Sequence, residues 1–478
     1  MEASNLLKDY FLQTLFHHLN LLFLISVICI EFYLTFIFRL PITHLFLASL
    51  FLLLVLFFTF RHFSVLPSNS QAIYLVDFAC LKPPSSCRIP SSTFIEHVTM
   101  FKCFDQDSIS HMAKLVTSSG QGEETYLPPA LLYIPPTNYF RDAIHEAEML
   151  FFPVIDDLLS KTQISPLEID VLVLNCSSFS PAPSLTSIIV NKYSMRTDIK
   201  SFNISGMGCS AGLIGINVAQ NVLRVHKNYN AIVISAEILS NNWYAGNDKS
   251  KLGLNSLFRM GCSAVLLSNK KEAKYTSKYK LSQLVRTQTA YNDKSYLTAT
   301  REEDSEGITG FTVNRTALQV AGETLRLNVT TLGTLILPLK EKIYYSLSIF
   351  KKKFSRGKCS KSKVYMPDFT SVVQHFCTTT SGKTVVLEIG KGLNLSGKEM
   401  EATLMTFQRF GNQSASSLWY VLAYTEAKER VKKGDKVWQI GIGSGFKCNS
   451  VAWECLRHIV NESKNGPWAQ SADSINHH

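Results

Sequence analysis

The chain contains no C-x-x-C pair, and its cysteines and histidines never stand at zinc-ligand spacing. It also lacks an RNP-type aromatic strand and a basic leucine zipper, so the common nucleic-acid modules are excluded. No short-period repeat runs through it, which removes solenoids and propellers. Charged residues are few, 18% against 46% hydrophobic, so the chain is not disordered; the balance suits a folded protein with a membrane portion. Acidic residues are scarcer than basic ones, 37 against 48, and the net charge is +11. Without a nucleic-acid motif, that surplus points to a membrane surface or a phosphate-bearing ligand.

The 478 residues suffice for an anchor plus one large domain or two fused smaller ones. The 11 cysteines are odd in number and scattered. They read as free thiols of a reducing compartment, most of them small core residues, rather than as a disulfide framework. Glycosylation-type sequons occur at Asn175, Asn203, Asn314 and Asn328. Some fall inside apolar strand patterns and read as chance matches in a cytosolic domain.

Residues 21 to 38, "LLFLISVICIEFYLTFIF", are apolar apart from Glu31, long enough to cross a bilayer core. A second run at 45 to 60, "LFLASLFLLLVLFFTF", follows Arg39 and Pro41. A signal peptide fits poorly, because there is no basic leading region and no A-x-A cleavage site. The expectation is a membrane hairpin within residues 1–65, with spans at about 19–39 and 41–60. Lys8, Arg61 and His62 outside it, against Arg39 alone in its turn, favour both ends being cytosolic.

In residues 66–478, short apolar runs alternate with helical stretches, which argues for an α/β layered fold. "IDVLVLNC" (169–176), "AIVISAE" (231–237), "SAVLLSN" (263–269), "TVVLEI" (384–389) and "KVWQIGIG" (436–443) read as buried strands. "SAGLIGINVAQNVLRVH" (210–226) is apolar nearly all round and reads as a buried helix. Residues 343–363 turn from aromatic and apolar to strongly basic; they suit either a solvated loop or an interfacial segment on anionic headgroups.

The run "SGMGCSAGLIG" (205–215) sets Cys209 among glycines where a strand gives way to that helix. A helix N-terminus favours a thiolate, and glycines allow backbone to approach a ligand closely. The same surroundings also suit a small core thiol beside a glycine turn. "GIGSGF" (441–446) is not G-x-G-x-x-G and precedes no cofactor-binding unit, so it is a weak nucleotide-loop candidate.

"NCSSFSPAPSLTSIIVNKYSMR", "GMGCSAG", "NNWYAGNDKS", "FRMGCSAVLLSN" and the long run from "RFGNQSASSLWYVLAYTEAKERVKKGDKVWQIGIGSGFKCNS" resemble the plant 3-ketoacyl-CoA synthases. The resemblance covers nearly the whole chain. It implies a thiolase-like fold with two similar halves, about 66–270 and 271–465, following the membrane hairpin. It implies an endoplasmic-reticulum membrane location, with the catalytic-type domain facing the cytosol. The implied reaction belongs to very-long-chain fatty acid elongation. An acyl group moves from acyl-CoA to cysteine, malonyl-CoA is decarboxylated, and the carbanion attacks the thioester; no further cofactor is implied. The implied partners are other 3-ketoacyl-CoA synthases as homo- or heterodimers, the elongase reductase and dehydratase, and no nucleic acid.

By that resemblance Cys209 falls on the nucleophile and Asn412 on the site asparagine. The family segment like "HFCIHAGG" reads "HFCTTTSG" (375–382), so Thr379 occupies the place of the triad histidine. The family histidine before "RFGN" is Gln408, and that of "VRTHKG" is Gln288. Cys209, His375 and Asn412 remain; Thr379, Gln408 and Gln288 have changed. His375 is four residues from Thr379, about 13 Å of extended chain, and matches its own family position. Threonine and glutamine donate hydrogen bonds but take no proton near neutral pH. The expectation is acyl loading on Cys209 with condensation weak or lost; the alternative is a non-catalytic regulator of active elongase subunits.

Overall fold

Most of the apolar runs become strands because both their faces are covered. The computed structural model describes residues 50, 71–354, 365–464 and 466–469. The chain divides into Met1–Ser70 and Gln71–His478. The expected hairpin at 1–65 lies outside the described residues; among those described, no helix is long and apolar enough to cross a membrane.

The strands are β1 (Tyr74–Cys80), β2 (Val171–Asn175), β3 (Lys200–Ile204), β4 (Asn230–Ala236), β5 (Cys262–Ser268), β6 (Tyr279–Gln288), β7 (Ala299–Glu303), β8 (Thr309–Val313), β9 (His375–Thr378), β10 (Lys436–Gly443) and β11 (Lys447–Cys455). Nine of them form one mixed sheet in the order β3-β2-β4-β5-β1-β6-β11-β10-β9, and β7 and β8 form a separate hairpin. The pattern is similar from the two ends inward. At one, β2 lies parallel to β3 and β4, and β4 is antiparallel to β5. At the other, β9 and β10 are parallel, and β10 and β11 antiparallel.

The helices that shape the site are α1 (Phe140–Thr162), α2 (Ala211–Val225), α3 (Ala317–Ile336), α4 (Leu339–Phe354), α5 (Lys383–Gly392), α6 (Gly397–Phe410) and α7 (Ser417–Ala427). The expected buried helix is α2. It packs on β2 and β4 and also on β10 and β11, so it lies between the two ends of the sheet. Leu213, Ile216, Ala219 and Leu223 are fully buried along it. Each large aliphatic contributes about 1.5–3 kcal/mol by leaving water, which fixes the turn that precedes the helix.

One strand expectation fails. "TVVLEI" lies inside α5. Val386, Ile389 and Gly390 are buried while Leu387 is exposed, a helical rather than a two-residue period. A run of six residues, four of them apolar, is too short to separate the two periods. The basic segment also differs from a loop: its first part belongs to α4, on which Ile343 and Leu347 are exposed, and residues 355–364 lie outside the described ones. The sequon residues Asn175 and Asn328 are fully buried and hydrogen-bonded in the core, where no glycan fits.

Candidate active site

Cys209 lies in a single 3-10 turn, Gly208–Ser210, between β3 and α2. Gly208 has φ +59°, and a Cβ there would lie 2.7 Å from Ser444 N. A Cβ on Gly443 would lie 2.8 Å from Ser210 N. The cysteine turn and the end of β10 therefore meet backbone to backbone, which only glycine allows at these positions. "GIGSGF" is thus a wall of the cysteine turn. Asn449 Nδ2 on β11 donates to Ser210 O at 3.2 Å and ties the same turn down.

Cys209 is half-buried, and its Sγ lies 3.5 Å from Ser414 Oγ. Burial pushes the thiol up to about 11; the hydrogen bond from Ser414 works against this, and the negative charge of Glu237 adds to it. These surroundings therefore hold Cys209 as a thiol near neutral pH.

Asn412 is buried two residues beyond α6. Its backbone bridges to the 257–259 segment, with Arg259 N donating to Asn412 O at 2.9 Å and Asn412 N to Leu257 O at 3.1 Å. Its Oδ1 accepts from Ser414 N at 2.9 Å. It thereby holds the turn that carries Ser414 to the cysteine.

Thr379 is buried immediately after β9. Thr378 pairs with Ile440 on β10, and a Cβ on the next β10 residue, Gly441, would lie 3.3 Å from Ser210 Cα. The Thr379 end of β9 is therefore separated from the cysteine turn by one strand. His375 stands at the other end of β9, paired with Val437, with its Nε2 2.9 Å from Asp435 Oδ2. Burial holds its ring below the ordinary histidine value despite the pull of Asp435.

The two glutamines are exposed. Gln288 ends β6 opposite Lys447, whose Nζ donates to Ser444 O at 2.9 Å, so it lies on the rim of the turn facing Cys209. Gln408 lies in the last turn of α6, where its carbonyl accepts from Gly122 N at 2.7 Å.

Two residues not singled out in the sequence complete the surroundings of the thiol. Glu237 follows β4 and is buried. Its Oε1 accepts from Ser178 N at 2.9 Å, from Ser178 Oγ, and from the Cys176 thiol at 3.7 Å. Its Oε2 lies 3.4 Å from Ser177 N and 3.3 Å from Ser414 Oγ. The signal in the sequence was a carboxylate closing an otherwise apolar strand, "AIVISAE". Among the described residues, no cluster of three or more His, Cys, Asp or Glu is placed to hold a metal ion.

This geometry can be set beside known proteins. The family model "FAE1/Type III polyketide synthase-like protein" matches residues 65–354. "3-Oxoacyl-[acyl-carrier-protein (ACP)] synthase III C terminal" matches residues 370–455. 3-Ketoacyl-CoA synthase 6 of Arabidopsis thaliana is 46% identical over 406 residues, which are 85% of this chain and 81% of that protein. 3-Ketoacyl-CoA synthase 2 of the same plant is 43% identical over 431 residues, 89% of this chain and 81% of that protein. Among solved structures, the fungal type III polyketide synthase ORAS superposes with a TM-score of 0.61 at 14% identity, covering 80% of this chain and 99% of that one. 1,3,6,8-Tetrahydroxynaphthalene synthase of Streptomyces coelicolor A3(2) gives 0.59 at 15% identity, over 80% and 99%. The structural likeness establishes a thiolase-like α/β fold, and with the sequence identity over most of its length the chain belongs to the plant 3-ketoacyl-CoA synthase family.

Proposed function

We propose that Cys209 accepts an acyl group from acyl-CoA, and that the chain's decarboxylative condensation with malonyl-CoA is weak or lost. The observation that carries this reading is what surrounds the two ends of the site. A glycine-locked turn still presents the thiol, whereas the buried residue at the end of β9 is Thr379, which takes no proton near neutral pH. His375 does not stand in for it, being held by Asp435 at the opposite end of the strand. Loss of a positioned base or oxyanion donor costs about 10²–10⁴ in rate.

The place of this chemistry is very-long-chain fatty acid elongation at the endoplasmic-reticulum membrane, with the body facing the cytosol. The partners are a second 3-ketoacyl-CoA synthase, as homo- or heterodimer, and the elongase reductase and dehydratase. Thr379 also favours a second reading, a non-catalytic regulator that keeps the fold and pairs with active subunits.

The test is condensation itself. Microsomes carrying the chain or its Cys209→Ala form receive acyl-CoA of several lengths with labelled malonyl-CoA. Acyl-enzyme on Cys209 with 3-ketoacyl product at the Cys209→Ala background supports the proposal. Product well above that background overturns the impaired-condensation reading; no acyl-enzyme leaves the regulator.

A further inference from the structure

We propose that Ser414 and Glu237 are the proton path of Cys209, carrying its thiol proton to the Glu237 carboxylate as the sulfur attacks an acyl thioester. The inference rests on the reading that Cys209 accepts an acyl group.

The geometry comes from three separate chain segments. Ser414 Oγ is 3.5 Å from Cys209 Sγ and 3.3 Å from Glu237 Oε2. A serine hydroxyl has one proton and two lone pairs, so when it donates to the carboxylate it accepts from the thiol. The two carboxylate oxygens are not equivalent. Oε1 is filled by Ser178 N, Ser178 Oγ and Cys176 Sγ. Oε2 has only long contacts, 3.4 Å to Ser177 N and 3.3 Å to Ser414, and is the oxygen with room for a proton. Ser414 is held at φ +55°, a left-handed conformation that non-glycine residues rarely adopt. Asn412 Oδ1 fixes it there through the Ser414 N–H. Strain of this kind, pinned by a buried side chain, places a hydroxyl between a thiol and a carboxylate.

The step balances without another reactant. A bond forms from Cys209 Sγ to the acyl carbonyl carbon, and the bond from that carbon to the CoA sulfur breaks. The thiol proton passes to Ser414 Oγ while the serine's own proton passes to Glu237 Oε2. The reverse transfer protonates the departing CoA thiolate. Burial raises Glu237 above the ordinary carboxylate range, which makes it a stronger acceptor than a surface glutamate. Around it stand the Cys176 and Cys209 thiols and Glu146, itself pushed up to about 7; Arg301 Nη1 donates to Ser178 O at 3.1 Å.

The experiment follows two reactions of Cys209 in the full-length chain between pH 6 and 11. One is loading from radiolabelled palmitoyl-CoA, and the other is alkylation by iodoacetamide, read by peptide mass spectrometry. In wild type both rates level off at neutral pH, below the thiol's own titration. In Glu237→Gln and in Ser414→Ala the neutral plateau disappears, loading at pH 7 falls about 10²-fold, and the gap closes as the thiol ionises. Slowing by the same factor at every pH, or none in either variant, overturns the proton path. A wild type with the alkylation plateau but no acyl-enzyme removes the acyl-acceptor reading and leaves the proton path standing. A wild type with neither overturns both.

Discussion

His375 Nε2 and Asp435 Oδ2 are hydrogen-bonded at 2.9 Å, and the same carboxylate oxygen accepts from Lys432 N. The histidine thus clamps the start of β9 to the loop that leads into β10. Its ring is held below the ordinary value of 6.5, with burial outweighing Asp435. A neutral ring therefore donates its Nε2–H to the carboxylate at pH 7.

A stability change with a defined sign follows. A histidine whose folded value is depressed contributes stability that is complete above about 6.5 and is lost as pH falls through the folded value. His375→Ala removes a hydrogen bond to a charged group, worth about 1.5–3 kcal/mol. Its melting temperature should lie below wild type at pH 8, and the gap should narrow towards pH 5. Thermal unfolding of both proteins across that range checks it; a gap that widens in acid would contradict the neutral ring.

Placing histidine at Thr379, Gln408 and Gln288, where the resemblance puts the family histidines, should separate the three positions. Thr379 is buried at the β9 end nearest the cysteine turn, whereas Gln408 is exposed against Gly122 and Gln288 lies on the rim. Thr379→His should raise 3-ketoacyl product by about 10²-fold or more, the value of a positioned acid-base group. Gln408→His alone should add little. Product formation by the single variants and the triple variant, measured side by side, decides it. A silent triple variant would mean that the pocket no longer admits the ring or the substrate.

The sequence revealed what burial makes uniform. β2, β4 and β5 are buried along their whole length, so they read as unbroken apolar runs. β11 is buried except at Glu454 yet does not read as a strand, because "KCNSVAWEC" mixes polar residues into it. Their partners come from elsewhere in the chain: Ser450 Oγ accepts from Trp438 Nε1 and donates to Asn328 Oδ1, and Asn449 reaches Ser210. α5 reads as a strand in the sequence because its apolar run is short and period-ambiguous. The same distinction governs the site. Cys209 was legible from its local glycines and the helix after it. Ser414 was not, because it meets the thiol from 205 residues away, and only the fold brings Glu237 to the same hydroxyl.

The glycine lock gives a third prediction. Gly208→Ala places a Cβ 2.7 Å from Ser444 N and 2.9 Å from its Oγ, on a residue at φ +59°. Neither backbone can yield cheaply, since Gly443 is packed against Ser210 on the other side of the contact. The expected cost is about 1–3 kcal/mol from overpacking, with strain added. More specifically, Cys209 should move away from Ser414, so alkylation by iodoacetamide at pH 7 should change more than melting temperature does. Wild-type alkylation kinetics with a normal fold would mean that the turn is looser than this geometry.

A fourth prediction concerns the core that holds the sheet's middle together, away from the chemistry. Lys278 is 1% exposed, and its Nζ lies 2.8 Å from Asp77, 2.9 Å from Glu426 and 2.7 Å from Glu462. Glu426 is fully buried and also accepts from Tyr279 Oη at 2.6 Å. Removing the single ammonium leaves three carboxylates facing one another, one of them far from water. Breaking such a buried pair from one side costs about 3–5 kcal/mol, far more than an exposed pair. Lys278→Met should therefore fold poorly at neutral pH. Burial already raises Glu426 above the ordinary carboxylate range, and Lys278 is what opposes that rise. Without the lysine, the folded carboxylates bind protons more readily than unfolded ones do. The variant's stability relative to wild type should accordingly improve as pH falls, and Glu426→Gln added to Lys278→Met should recover part of the loss at pH 7. Denaturation midpoints of the single and double variants at pH 5 and 8 test this directly; equal losses at both would mean that packing, not charge, sets the cost.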